Sequence, residues 1–195
     1  MKWLLALAMP SAANAAQAAE IKILTPEREN HPAIITIHGT LNAGDDSTFF
    51  TTTLGVQHAV VFLDCGGGSL GAAISIGWSI RSRNFQTALT DNGICASACT
   101  LIWLGGATRY LGLYSRIGFH SAAVRSDDGK SWKRSAEANR MIASYLERLG
   151  YPAHLLDYIT QSDPQFHTWL TPFYATKYKI YPRPLTELNS RPQPR

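Results

Sequence analysis

The stretch Ala59–Leu63 (AVVFL) is a continuous apolar run, followed at once by Asp64-Cys65-Gly66-Gly67-Gly68 and then by helical periodicity. A short apolar run of this kind reads as a strand buried on both faces, as inside a parallel sheet. From Ser69 to about Arg83 the residues Leu70, Ala73, Ile74, Gly77, Trp78 and Ile80 keep three-and-four spacing. Arg81 and Arg83 suit the C-terminal turn of that helix, where the dipole favours cations. A buried strand leading through small residues into a helix constrains the chain to an α/β architecture with a largely parallel sheet.

The remaining pattern agrees. Ile21–Leu24 and Ala33–His38 read as strands, and Asp45–Leu54 as a short helix with Phe49, Phe50 and Leu54 on one side. Phe85–Leu89 is a strand, Asn92-Gly93 a turn, and Cys95-Ala96-Ser97-Ala98-Cys99 leads into the apolar segment Thr100–Leu104, ended by Gly105-Gly106. Arg109–Leu111 and Arg116–Phe119 are further strands, with His120 at the end of the second. A polar link, Arg125–Lys130, precedes a long helix over Ser131–Leu149, whose apolar side runs from Trp132 through Ala136, Met141, Ile142, Tyr145 and Leu146 to Leu149. Shorter helices are expected over Ala153–Thr160 and from Thr171-Pro172, and from Pro182 the chain reads as a flexible Pro/Arg-rich tail. No long repeat and no second domain boundary interrupts this order.

The first residues read as an address. Lys2 precedes the apolar run Trp3–Met9, and Ala13-Asn14-Ala15 and Ala16-Gln17-Ala18 offer small-x-small cleavage sites. The expected division is a cleavable signal over 1–19, one α/β domain over 20–181 and the tail over 182–195, with an exported, periplasmic or secreted location. No later stretch approaches a bilayer-spanning length, so no membrane span is expected in the mature form. With 45% hydrophobic and 16% charged residues, the 195-residue chain can bury a core without metals or disulfides. The net charge of +4 is accounted for by the C-terminal stretch, where Lys177, Lys179, Arg183, Arg191 and Arg195 face only Glu187. A near-neutral body argues against a nucleic-acid groove.

Three cysteines, Cys65, Cys95 and Cys99, lack the spacing of a zinc site, and no metal or cofactor is expected. In an oxidising compartment one disulfide forms and one thiol is left over. Cys95–Cys99, flanking one turn, is the expected pair, with Cys65 free; Cys65–Cys95 is the competing pair.

Two places can carry chemistry. Gly66-Gly67-Gly68 opens a helix, where backbone N–H groups without side chains can hold a negative oxygen; there is no Lys-Ser/Thr after it, so a P-loop is excluded. Ser97 lies between two alanines at a helix start. There it is either an N-cap or, given a base such as His120, a nucleophile.

The joint order of Gly39-Thr40-Leu41, Leu63-Asp64-Cys65-Gly66-Gly67-Gly68, Cys95-Ala96-Ser97-Ala98-Cys99, Gly118-Phe119-His120 and Leu170-Thr171-Pro172 resembles the Clp protease proteolytic subunit and its relatives in the Clp/crotonase superfamily, in particular exported members. The resemblance spans about Ile34 to Tyr181. It implies a spiral of strand–turn–helix units and a serine peptidase. Ser97 would be the nucleophile, His120 the base, and the backbone N–H groups of Gly67, Gly68 and Ala98 the oxyanion hole. It also implies a peptide or protein substrate and allows a homo-oligomer. The chain departs from the family pattern at two places. Cys65-Gly66 stands for Ser-Pro, and no aspartate precedes Leu170 at the family's spacing, which leaves Asp163, His167 or a backbone carbonyl to orient His120. Two other readings are a non-catalytic relative that binds peptide or another ligand in the same groove, and an acyl-CoA enzyme of the crotonase branch.

Overall fold

The computed structural model describes residues 18–188, apart from positions 30 and 127. Nearly all of the expected signal segment, and the last seven residues of the expected tail, lie outside the described residues. In chain order the elements are β1 (Glu20–Thr25), β2 (Ala33–Leu41), α1 (Asp45–Thr52), β3 (Ala59–Gly68), α2 (Leu70–Ser82), β4 (Gln86–Leu89), β5 (Ile94–Ala96), α3 (Cys99–Gly105), β6 (Arg109–Leu111) and β7 (Arg116–Phe119). They continue with β8 (Ala123–Arg125), β9 (Trp132–Arg134), α4 (Ala136–Arg148), α5 (His154–Thr160), β10 (Thr168–Trp169), α6 (Pro172–Lys177), β11 (Arg183–Pro184) and a 3-10 turn, Leu185–Leu188.

β3 is the hub. One edge pairs in parallel with β2, from Ala33 opposite Ala59 to Leu41 opposite Gly68, with a register shift that skips Gly66. The other edge is shared: Val60–Phe62 pair with β4, and Cys65 pairs with Cys95 of β5. The nine-stranded sheet therefore forks into one arm of β4, β6 and β11 and another of β5, β7 and β10. Only β1–β2 and β10–β7 are antiparallel within it. The fork places the end of β3 and the ends of β5 and β7 together, which is where the site lies.

Burial follows the expected logic for β3. Val61 and Leu63 join the main core, while Val60 joins Ala88 and Tyr110 in a smaller cluster on the opposite face. Leu185 and Leu188 cover that second face, and Arg183–Pro184 pair with β6, so this part of the expected tail is built into the sheet. All seven residues of α3 are buried. α3 lies close against α2: a Cβ on Gly105 would stand 2.6 Å from Gly77 O, and Tyr145 of α4 donates from its hydroxyl to Leu101 O at 2.8 Å. This contact holds the helix that follows Ser97.

Several elements differ from expectation. The glycine stretch is the end of a strand, because β2 continues pairing with it through Gly68; the helix begins only after Ser69, whose hydroxyl accepts from Ala72 N. Phe49 is buried, but Phe50, its neighbour in α1, and Leu54, beyond the helix end at Thr52, are exposed. The long helix starts at Ala136 because Ser135 caps it by accepting from Ala138 N; Trp132 instead belongs to the β8–β9 hairpin, under the Arg125 guanidinium. No helix among the described residues is long and apolar enough to cross a membrane.

Candidate active site

Ser97 joins β5 to α3 in the left-handed region, at φ 55. A serine pays for that conformation, so the surroundings must impose it. They do so through the backbone. Ser97 N donates to Gly118 O of β7 at 2.8 Å, and Thr100 donates to Ser97 O from both its N–H (3.0 Å) and its hydroxyl (2.7 Å). The N-cap of α3 is Ala98, and no side chain caps it. Among the described residues Ser97 Oγ makes no hydrogen bond, and Ala98 N–H has no acceptor. Both residues line one cavity.

Gly67 stands directly behind the serine, at φ 102. A Cβ there would lie 2.5 Å from Ser97 Cβ and 2.9 Å from both Ser97 Oγ and Ala98 N. Gly68, at φ 126, is pressed against β2, with Leu41 O 2.1 Å from where its Cβ would be. The absence of side chains at these two positions lets β3 approach the serine turn.

His120 ends β7, half-buried, with Nδ1 2.8 Å from Ser121 O. A carbonyl only accepts, so Nδ1 carries the hydrogen, and in the neutral ring the lone pair is on Nε2. The His167 ring meets His120 edge-on at 5.1 Å and stacks on Trp169 at 5.4 Å. Asp163 is engaged elsewhere: its Oδ1 accepts from Gln165 N at 3.1 Å. Among the described residues no carboxylate forms an ion pair with His120.

Burial of the His167 ring, with His120 as a like charge beside it, holds its pKa below the usual imidazole value. The unfolded chain therefore binds the proton more readily than the native one, and stability rises with pH through that window. The melting temperature is expected to fall as pH drops below about 6.5, the ordinary histidine value, and His167→Asn to reduce that slope. Thermal scans of both proteins from neutral to mildly acidic pH check this.

Gly68, Ser97, Ala98 and His120 thus come together around a cavity of about 380 Å³, with Gly67 backing the serine. Leu101, Phe119, Ile142 and Ile159 make its apolar wall, and among the described residues no Lys, Arg, Asp or Glu side chain lines it. One wall could not be read from the sequence: Ala122, Ala123 and Trp132 come from the β8–β9 region, whose polar run carries no periodic signal.

The three cysteines lie just behind this site. Cys99 is in disulfide contact with Cys95, the expected pair, and also with Cys65. The competing pair, Cys65 and Cys95, face each other across β3 and β5 without a bond. Among the described residues they are the one group of His, Cys, Asp or Glu side chains close enough together to hold a metal ion.

No family model and no curated protein sequence matches the chain. Solved structures do. The 1510-N membrane protease specific for a stomatin homolog from Pyrococcus horikoshii superposes with a TM-score of 0.55 at 20% identity, over 80% of this chain and 73% of that one. ClpP1 from Listeria monocytogenes gives 0.56 at 19%, over 78% and 90%. The ClpP protease catalytic domain from Plasmodium falciparum gives 0.58 at 15%, over 78% and 84%. At such identities the likeness speaks for the backbone, and with the forked, mostly parallel sheet it establishes that this chain has the Clp protease-like fold of the Clp/crotonase type.

Proposed function

We propose that the chain is a serine hydrolase that cleaves peptides, with Ser97 as nucleophile and His120 as general base. The observation that carries this reading is Ser97 itself, a non-glycine residue held at φ 55, which lines the same cavity as His120 and whose hydroxyl makes no hydrogen bond among the described residues. Strained residues of this kind cluster at functional sites, where the surroundings over-determine them. His120 Nε2 takes the Ser97 proton as Oγ attacks the substrate carbonyl. The resulting oxyanion accepts from the unpartnered Ala98 N–H and from the Gly67–Gly68 backbone. His120 then protonates the leaving amine, and water releases the acyl group. The apolar wall suits an uncharged substrate side chain. The Ser121 carbonyl fixes the His120 tautomer but supplies no negative charge to an imidazolium, so turnover is slow relative to a carboxylate triad.

A fluorophosphonate tests the reading: a covalent adduct on Ser97 in intact-mass and peptide analysis supports it. A second reading, a non-catalytic groove that binds extended peptide, draws on one observation: no hydrogen bond joins Ser97 Oγ to His120 among the described residues. Peptide binding without any adduct would favour it. The acyl-CoA reading draws no support from the cavity, which has no Lys or Arg among its described lining residues. Export and homo-oligomer formation belong to the same proposal. N-terminal sequencing of the mature protein, expected to begin near Glu20, tests the first, and sedimentation tests the second.

The orienting group can be separated from its side chain. Ser121 Oγ is buried and has no partner among the described residues. Ser121→Ala keeps the carbonyl and removes an unsatisfied hydroxyl. It is expected to label at the wild-type rate and to be as stable as wild type or more stable by about 1 kcal/mol. Labelling kinetics and denaturant titration check both.

A further inference from the structure

We propose that Cys65, Cys95 and Cys99 form a thiol–disulfide exchange site, in which a single bridge moves between two positions with Cys99 as the shared sulfur. Cys65 lies in β3 directly before the glycine stretch, Cys95 lies in β5, and Cys99 opens α3. All three are buried, and their sulfurs lie within 4.8 Å of one another. The Cα separations are 5.9 Å for Cys65–Cys99 and 5.4 Å for Cys95–Cys99. Both fall in the range a disulfide spans without backbone movement. One sulfur carries one disulfide, so whichever partner is unbridged is a thiol held against the bridge it can attack.

The step is redox-neutral. Starting from the Cys95–Cys99 bridge, the Cys65 thiolate attacks Cys99 Sγ. The Cys65–Cys99 bond forms as the Cys95–Cys99 bond breaks, and Cys95 leaves as a thiolate that takes up the proton Cys65 released. The thiolate, not the thiol, is the attacking species, so exchange accelerates with rising pH. The two bridges tie different things together. Cys95–Cys99 closes the serine turn on itself over a separation of 4, whereas Cys65–Cys99 ties α3 to the glycine end of β3 over a separation of 34. The bridge position thus sets how the two halves of the site are joined, whether or not the site is a hydrolase.

The test is location of the one remaining thiol. The purified full chain is oxidised with glutathione disulfide, held at pH 8, quenched in acid, unfolded and alkylated with N-ethylmaleimide. Peptide mass spectrometry is expected to find two isomers, one alkylated at Cys65 and the other at Cys95, with Cys99 unmodified in both. Their ratio is expected to be independent of protein concentration and to re-equilibrate at pH 8 but not at pH 4. Cys65→Ser and Cys95→Ser should each retain one bridge to Cys99. A single isomer that persists at pH 8, alkylation at Cys99, or three thiols that co-purify with a metal ion would overturn the proposal. The wild-type measurement decides this even where a variant does not fold.

Discussion

Ser97→Ala is expected to abolish fluorophosphonate labelling and peptide cleavage while leaving stability nearly unchanged, and His120→Ala to do the same. Removing the nucleophile or base of a serine hydrolase costs on the order of a millionfold in turnover. The stability half of this result is what separates nucleophile from helix cap. An N-cap serine loses about 1 kcal/mol on truncation to alanine. Here the cap is Ala98, and the Ser97 hydroxyl bonds to nothing among the described residues, so truncation removes no hydrogen bond. The left-handed φ adds a sharper expectation. Ser97→Gly should be equally inactive yet more stable than wild type by about 1 kcal/mol, because glycine occupies φ 55 without the steric cost. Denaturant unfolding of the three proteins measures the order. An alanine variant clearly less stable than wild type, or one that still labels, would return Ser97 to a structural role.

The glycine stretch should give a graded series. At Gly66 an added Cβ meets nothing within 4 Å, and φ is not in the left-handed region, so Gly66→Ala is expected to be neutral within about 0.5 kcal/mol. At Gly67 the new Cβ collides with Ser97 Cβ at 2.5 Å and Ala98 N at 2.9 Å, displacing the nucleophile and the oxyanion donor. Gly67→Ala is expected to lose labelling outright and about 1–3 kcal/mol of stability. At Gly68 the collision is with the Leu41 backbone, 2.1 Å from its carbonyl oxygen, which cannot yield without breaking the β2–β3 pairing. Gly68→Ala is expected to cost about 3 kcal/mol or more, or to prevent folding. Equal effects at all three positions would contradict the close approach of β3 to the serine turn.

Local sequence determined the elements whose cause is local. The apolar run Ala59–Leu63, the spacing from Leu70 to Ile80, the cap at Thr171-Pro172 and the strands Arg109–Leu111 and Arg116–Phe119 all stand where periodicity and turn chemistry put them. The candidates Ser97, His120 and the glycines were singled out by their order along the chain, which resembles the Clp protease pattern; taken alone, small residues at such a junction suit a cap or a tight turn as well as a backbone-lined site.

Only the tertiary structure decided the rest. That Gly66–Gly68 is strand follows from its pairing with β2, a neighbour distant in sequence. That Ser97 is tied by its N–H to Gly118 O follows from the β5–β7 pairing. The contact of His120 with the Ser121 carbonyl is local, but that His167 rather than a carboxylate stands beside it depends on β10 lying against β7. The convergence of Cys65 and Cys99, separated by 34 positions, has the same origin in the fork of β3. Periodicity records which face of an element is buried. Which faces meet is set by long-range pairing, and the geometry of this site is made of such meetings.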